Sequence, residues 1–160
     1  MSLTKVTYSM INGAPVNVLD LGADPTGVAD SSAALQAAAN IGGQIYLPSG
    51  TYRISTQVTL TSGCFLIGEG ATETIIQADT DVSPLLFQDA SVADYTGAGI
   101  SNLKIVGNGA NVRLVTVNNV WGFYAEHCWI RGVPTVFRAI EVQRYSFECW
   151  INSCRITDAS

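Results

Sequence analysis

The chain has four cysteines and one histidine as its most reactive side chains, and their spacing does not fit a metal site. The cysteines form no CxxC pair, and His127 cannot complete a tetrahedral zinc set with them. We therefore expect no metal and no cofactor. The cysteines are interpreted as free thiols that pack as small apolar residues, which fits assembly in a reducing cytoplasm. They are Cys64, Cys128, Cys149 and Cys154.

Acidic residues between positions 79 and 99 raise the question of a calcium site. Their order lacks the alternating acids, the glycine and the closing glutamate of an EF-hand loop. We interpret the segment as a solvated excursion, with a strand possible at Leu85–Phe87. The acids concerned are Asp79, Asp81, Asp89 and Asp94.

Carboxylates that could act as a general acid or base are Glu126, Glu141, Glu148 and Asp158. Glu126 aligns with Ser101 and Asn152 in the repeat described in the next paragraph. It falls there at a strand start on the inward side, which favours a hydrogen bond of its side chain within a turn. Glu141 and Glu148 are interpreted as solvated, because unpaired acids are rarely buried. No acid and nucleophile are placed beside His127. We expect no catalytic residue in this chain.

A short pattern occurs three times at nearly constant spacing. Ser101–Ile105 aligns with Glu126–Ile130 at an offset of 25 residues, and that copy aligns with Asn152–Ile156 at an offset of 26. Val117 and Val120 precede Val142 and Tyr145 by the same 25 residues. Each copy alternates like a strand, and about 25 residues is one coil of a solenoid. The period predicts an all-β, right-handed, single-stranded parallel β-helix of about four to five coils.

In such a stack, equivalent side chains of successive coils form ladders. We expect two inward ladders, one of Leu103, Cys128 and Cys154, and one of Ile105, Ile130 and Ile156. A disulfide between Cys128 and Cys154 is the alternative to two free thiols, although parallel side chains strain its dihedral angle.

The same alternation places Lys104, Trp129 and Arg155 in an outward stripe. An exposed indole beside cations and hydrogen-bonding groups suits a sugar ring, so the stripe predicts a carbohydrate-binding surface. The alternative is that cations sandwich Trp129, or that the stripe packs against a neighbouring subunit. Tyr124 and Trp150 would add to the surface if they also face outward. The candidate binding residues are Trp129, Lys104, Arg155, His127, Arg131 and Trp121.

Residues 17–55 are predicted to form a strand, a turn, a short helix and two further strands. Gly22, Asp24 and Gly27 mark the turn after a strand at Asn17–Leu21, and Gly50 marks a later turn. Asp30 is predicted as the N-cap of an alanine-rich helix over Ser31–Asn40. This apolar helix must cover something, and we expect it to cap the open end of the strand stack.

The stretches NVLDLGADPTGVADS, AALQAAA and GGQIYLPSGTYRIS, with the lead-in TKVTYSMINGAPV, resemble the N-terminal part of a known family. The family is that of pectate-lyase-like right-handed parallel β-helix proteins, above all bacteriophage tailspikes. The resemblance implies three segments: a lead-in at residues 1–15, a cap at 16–60, and the start of a β-helix at 61–160, which we expect to be truncated. Asp24 and Asp30 match the family pattern as turn and cap residues.

The resemblance to tailspikes implies a homotrimer that belongs to the phage tail or baseplate of the virion and is assembled in the host cytoplasm. Its partner would be a bacterial surface polysaccharide, either capsule or lipopolysaccharide. The full-length protein is expected to depolymerise that polysaccharide by hydrolysis or elimination, whereas this part is expected to be inactive. The alternative is a cellular carbohydrate-active enzyme of the pectate lyase superfamily, such as a lyase, hydrolase or epimerase.

Composition excludes two other classes of partner. The formal net charge of -5 and the lack of a basic stripe argue against nucleic acid. No apolar run approaches the roughly 20 residues that span a bilayer, and Met1–Ile11 lacks the pattern of a signal peptide, so we expect no membrane insertion. Whether residues 1–3 are native is left open.

Overall fold

We determined the fold from a computed structural model, which describes residues 13–79, 81–89, 97–109, 113–132, 138–144 and 146–158, with the side chain of Asp158 excepted. Most of the predicted lead-in, together with Asp94 and Tyr145, lies outside these residues. The elements in chain order are β1 (Val16–Asn17), β2 (Thr26–Asp30), α1 (Ser32–Ile41), β3 (Gln44–Leu47), β4 (Gly50–Ile54), β5 (Val58–Leu60), β6 (Phe65–Gly68), β7 (Thr74–Ala78), β8 (Leu85–Gln88), β9 (Ala98–Ser101), β10 (Lys104–Val106), β11 (Arg113–Asn118), β12 (Phe123–Glu126), β13 (Trp129–Gly132), β14 (Arg138–Gln143), β15 (Trp150–Asn152) and β16 (Arg155–Asp158).

The strands form three parallel sheets that the chain visits in turn. Sheet A has the order β1-β3-β6-β9-β12-β15, sheet B the order β2-β4-β7-β10-β13-β16, and sheet C the order β5-β8-β11-β14. One strand from each sheet makes one coil, and the whole is a parallel β-solenoid of about five turns. The predicted fold class is confirmed. Strands β3 and β4, from the predicted cap, pair directly with β6 and β7 of the following coil.

The predicted register is confirmed by the pairing of successive strands. Lys104 pairs with Trp129 and Trp129 with Arg155, and the isoleucines that follow them pair in the same way. Val117 pairs with Val142, as the second register predicts. The 25-residue period therefore corresponds to one coil.

Inward ladders fill the interior of the solenoid. Ile105 and Ile130 are fully buried, whereas Ile156 on the last described coil is 50% exposed, because no described strand covers it. Leu103 and Cys128 are buried, and Cys154 packs partly against the same core. All four cysteines are free thiols, and burial raises the pKa of Cys128 to about 12.

Helix α1 covers one end of this interior. It stands between β2 and β3, where the later coils carry a strand of sheet C. Its buried face, which includes Leu35 and Ala38, packs against β5. The side chain of Gln36 donates to the Thr59 carbonyl at 3.0 Å and accepts from the Thr59 N–H at 2.9 Å. Since β5 is the edge of sheet C, the Gln36 amide takes the place of a neighbouring strand.

No helix within the described ranges is long and apolar enough to cross a membrane.

The segment before α1 differs from its prediction. The strand expected at Asn17–Leu21 is limited to Val16–Asn17, and Val18–Leu21 forms a 3₁₀ turn that ends at Gly22 with φ 88°. The Asn17 side chain accepts from the Leu19 N–H at 3.0 Å. This local hydrogen bond competes with extension of the strand.

Two aspartates hold the turn and the start of the helix. Asp24 accepts from Thr26, Val28 and Ala29, and these bonds, led by the Thr26 hydroxyl, lower its pKa from 3.8 to about 2. The N-cap of α1 is Ser31, so the prediction of Asp30 at that position is wrong by one residue.

Asp30 instead bridges the helix start to the end of β4. Its carboxylate accepts from the backbone N–H and hydroxyl of both Ser32 and Ser55. Although burial raises the pKa of Asp30, these bonds outweigh it and lower the pKa to about 2. At the predicted turn position Gly50, φ is 149°, and a Cβ there would lie 2.6 Å from the Cβ of Pro25.

The isoleucine ladder gives a test of how much each coil depends on the next. We expect Ile130→Ala to lower the free energy of unfolding by about 2–5 kcal/mol, because it opens a cavity between two coils. Ile156→Ala, on the same ladder but half exposed, should cost less than about 1 kcal/mol. Urea unfolding followed by circular dichroism measures both. Equal losses for the two variants would contradict the assigned register.

Candidate functional site

A residue in the left-handed conformation stands at the corner between sheets A and B in three successive coils. These residues are Asn102, His127 and Ser153, with φ of 53°, 51° and 51°. Each corner breaks the inward and outward alternation, because that alternation holds only along a continuous strand. Glu126, just before the corner, therefore faces outward with its side chain 56% exposed. Its predicted inward orientation is wrong.

The predicted stripe is present on the outer face of sheet B, but both faces of its indole are covered. The Lys104 ammonium lies 4.1 Å from the centroid of the Trp129 ring, and the Arg155 guanidinium lies 4.8 Å from it. The Trp129 indole N–H donates to the Thr157 hydroxyl at 3.0 Å. This is the cation sandwich that the sequence left open as the alternative, and it leaves no free indole face for a sugar ring. The stripe presents charge instead.

The other predicted binding residues lie around this stripe or away from it. Arg131 is on the same face, in register with Val106 and Thr157. His127 is exposed at the corner, with Nδ1 4.0 Å from a carboxylate oxygen of Glu126. Trp121 lies just before the start of β12, away from the corner with sheet B, and packs against Phe147, with ring centroids 5.5 Å apart. The structure therefore groups the predicted residues around sheet B except for Trp121.

A groove on the outer face of sheet A was not predicted from the sequence. It has a volume of about 310 Å³ and spans four neighbouring strands, from β3 to β12. Apolar walls alternate with hydrogen-bonding groups, and the single charged group among the lining residues is the Glu126 carboxylate. The lining residues are Gln44, Phe65, Ile67, Ile100, Ser101, Tyr124 and Glu126.

An interrupted aromatic ladder crosses this groove. Phe65, Gly99, Tyr124 and Trp150 are in register on four successive strands. Tyr124 and Trp150 stack with ring centroids 5.0 Å apart and an angle of 11° between the ring planes. Both are exposed, at 43% and 40%. Gly99 carries no side chain between Phe65 and Tyr124, so the ladder has a gap one rung wide.

The gap at Gly99 is enforced by the backbone. A Cβ built on Gly99 would lie 2.4 Å from the Tyr124 carbonyl oxygen, which is too close for any side chain. The consequence is a groove with the aromatic side chains of Phe65 and Tyr124 on either side of Gly99 and the strand β9 as its floor. Its width corresponds to two strand spacings, about 9.6 Å between the flanking backbones.

The other acidic candidates differ in their surroundings. Glu141, predicted as solvated, forms ion pairs with Arg113 and Arg138 on sheet C. Burial raises its pKa, but hydrogen bonds from Gln143 and Arg138 and the charge of Arg113 outweigh it and lower the pKa. Glu148 is exposed.

Asp79 and Asp89, from the segment predicted as an excursion, brace successive coils. Asp79 accepts two bonds from the Arg53 guanidinium, at 2.8 and 2.9 Å, and these hydrogen bonds, helped by the Arg53 charge, lower its pKa. Asp89 accepts from Ser62, and β8 between the two acids is a regular strand of sheet C. In the part of the chain that the structure describes, no group of three potential ligands is placed to hold a metal ion.

Comparison with known proteins agrees with this architecture. Residues 15–149 match the family described as rhamnogalacturonase A/epimerase, pectate lyase-like. The chain belongs to this family. The predicted resemblance to pectate-lyase-like β-helix proteins is thereby confirmed, and membership of the rhamnogalacturonase A/epimerase family places the chain among carbohydrate-active proteins.

Curated relatives of this rhamnogalacturonase A/epimerase family member come from Azotobacter vinelandii. Mannuronan C5-epimerase AlgE5 is 35% identical over 111 residues, which is 59% of this chain and 11% of the relative. Alginate lyase 7 is 34% identical over 154 residues, 82% of this chain and 17% of the relative. Mannuronan C5-epimerase AlgE4 is 32% identical over 144 residues, which is 80% of this chain and 25% of the relative. The chain thus spans 11% to 25% of the length of these relatives.

Solved structures share the fold. The A-module of Azotobacter vinelandii mannuronan C-5 epimerase AlgE6 has a TM-score of 0.67 at 23% identity, covering 87% of this chain and 43% of that one. ORF18 of Geobacillus virus E2 has a TM-score of 0.53 at 17% identity, covering 88% of this chain and 41% of that one.

A double-mutant cycle tests the cation sandwich. Lys104→Met and Trp129→Leu should couple by about 0.5–1 kcal/mol in the free energy of unfolding, because each removes the same cation–π contact. As a matched control, Arg144→Met, at an exposed position directly after β14, should combine with Trp129→Leu additively, within about 0.3 kcal/mol. Coupling no larger than that of the control would show that the ammonium does not rest on the ring.

Proposed function

We propose that this chain binds polysaccharide along the outer faces of sheets A and B, within a carbohydrate-active β-helix protein. The observation that carries the proposal is the groove on sheet A, where the exposed Tyr124 ring adjoins the hydroxyl of Ser101 and the carboxylate of Glu126. A sugar ring has apolar C–H faces and hydroxyl groups at its rim. Aromatic walls with a few convergent polar groups are the usual composition of such sites.

The groove supports binding better than cleavage. Glycoside hydrolysis uses two carboxylates on either side of the scissile bond. Among the described residues that line the groove, Glu126 is the one carboxylate. The activity of the whole protein, whether epimerisation, elimination or hydrolysis, is a further part of the proposal, supported by relatives that are named as epimerases and as an alginate lyase.

Affinity electrophoresis in gels that contain polysaccharide tests the binding. We expect Tyr124→Ala to weaken retardation by about three- to tenfold in dissociation constant, the size of one aromatic contact, and Tyr124→Phe to retain most of it. Phe147→Ala removes a similarly exposed aromatic ring that lies outside the groove and should leave binding unchanged. Equal effects of Tyr124→Ala and Phe147→Ala would place binding elsewhere.

The second candidate is a narrower role, that of a bacteriophage tailspike. It is favoured by the sequence resemblance of residues 17–55 to tailspike caps, and the fold is one that a viral protein also has. In this role the chain belongs to the virion, contacts a tail or baseplate protein, forms a homotrimer and binds capsule or lipopolysaccharide of the host. The cellular carbohydrate-active enzyme is the competing proposal, and the named relatives favour it.

The mass of the protein in solution separates these two roles. Light scattering on a size-exclusion column should give three times the 17.0 kDa of one chain for the tailspike role. The last described coils expose apolar side chains that could form such contacts, including Phe147, Trp150 and Ile151. A mass of one chain would contradict a trimer held by these residues. If the protein is such a monomer, Trp150→Ser should leave its mass in solution unchanged.

A further inference from the structure

We infer that Cys128 and Cys154 form a redox switch, in which a low-molecular-weight disulfide such as oxidised glutathione joins the two thiols and so fastens the last described coil to the coil before it. These two nucleophilic groups have no part in the proposed function, and the inference stands independently of it. It follows from the position of the two cysteines, from the contacts of their sulfur atoms and from the exposure of the last described coil.

The two cysteines occupy the same position in successive coils. Each directly follows a left-handed corner residue, His127 or Ser153, and directly precedes a strand of sheet B. The Arg155 N–H donates to the Cys128 carbonyl at 2.8 Å, so the ladder between β13 and β16 extends to this position. Adjacent parallel strands lie about 4.8 Å apart, and the Cα atoms of a disulfide usually lie about 4.4–6.8 Å apart. The backbone therefore allows the bond without displacement of either coil.

The two sulfur atoms also lie next to each other. The Cys128 thiol donates to the Glu126 carbonyl at 3.3 Å. The Cys154 thiol donates to the Ala125 carbonyl, which belongs to the preceding coil, at 3.4 Å. Because Ala125 and Glu126 are consecutive, the two sulfurs converge on one short stretch of backbone. The two thiols are hydrogen-bonded to each other as well.

The two thiols differ in access, which sets the order of the reaction. Cys154 is partly exposed, because no described strand covers β16, whereas Cys128 is 2% exposed. The Cys154 thiolate attacks one sulfur of oxidised glutathione, whose S–S bond breaks, and one glutathione leaves. The Cys128 thiolate then attacks the Cys154 sulfur and releases the second glutathione. The protein gives up two electrons and two protons, and the oxidant becomes two glutathione thiols.

The second of these steps is the slow one. Burial is the main cause that raises the pKa of Cys128 to about 12, and only the thiolate attacks a disulfide.

A disulfide at this position is readily reversed. The two side chains leave adjacent parallel strands in the same direction, which suits the preferred dihedral angle of a disulfide poorly. Strained disulfides are reduced more easily than structural ones and are typical of regulatory pairs. The pair therefore responds to the balance of thiols and disulfides around the protein.

The last described coil is the part of the molecule that the bond would change. Ile151 and Ile156 point inward on β15 and β16 but are 48% and 50% exposed. Strands with few buried contacts open locally at a low free energy. A link between two residues 26 positions apart lowers the entropy of the open state. Oxidation therefore holds β15 and β16 closed, and reduction lets them open.

Peptide mapping after oxidation tests the bond. The protein is incubated with oxidised glutathione, and its tryptic peptides are analysed by mass spectrometry without reduction. We expect peptide 114–131, which contains Cys128, to be joined to peptide 145–155, which contains Cys154. Cys149 lies in the same peptide as Cys154, but it is hydrogen-bonded to the Phe123 backbone. Cys149→Ser should therefore retain the link, and Cys154→Ser should abolish it.

Hydrogen exchange of the backbone amides of β15 and β16 tests the effect of the bond. Oxidation should slow this exchange about tenfold in the unmodified protein and in the matched control Cys149→Ser, but not in Cys154→Ser. Absence of reaction with oxidised glutathione overturns the inference, as does glutathione that stays on Cys154, a link through Cys149 or a link between two chains. A link that leaves the exchange unchanged overturns it too, because the bond would then not act as a switch.

Discussion

In-register pairing of parallel strands is the constraint on which this molecule depends. Each strand of a coil donates and accepts main-chain hydrogen bonds with the equivalent strand of the next coil, so a residue type repeated every 25 positions becomes a continuous ladder. The ladder of Ile105, Ile130 and Ile156 shows this inside the solenoid, and that of Lys104, Trp129 and Arg155 shows it outside. Each coil therefore contributes one side chain to each ladder on the outer faces. The charge or polarity along a ladder changes only where one coil has a different residue type at that register position.

The same constraint explains what could be predicted from the sequence. Where the period is regular, between Ser101 and Ile156, the register, the inward ladders and the cation stripe all follow from offsets of 25 and 26. The groove depends on Phe65 and Gly99, which pair although they lie 34 positions apart, because the intervening segment lengthens that coil. No fixed period relates these two residues, so neither the gap in the aromatic ladder nor the groove was visible in the sequence.

Corners and caps explain the remaining differences. The outward direction of Glu126 was missed because His127 adopts a left-handed conformation, which resets the alternation that sequence reasoning carries across it. The N-cap of α1 is Ser31 instead of the predicted Asp30, and a 3₁₀ turn after Asn17 replaces part of a predicted strand. Local backbone conformations such as these are not part of a periodic pattern. The position and role of α1 were nevertheless correctly predicted from its apolar composition.

The amide of Gln36 pairs with both backbone groups of Thr59 and so protects the edge of sheet C. Main-chain groups of β5 that would otherwise be open to another polypeptide are already occupied, and the apolar face of α1 lies over the interior beside them. The β5 edge of sheet C is thus closed to the strand-by-strand addition through which exposed sheet edges aggregate. At this edge of sheet C, a single glutamine side chain occupies the hydrogen-bonding groups through which a further strand would be recruited.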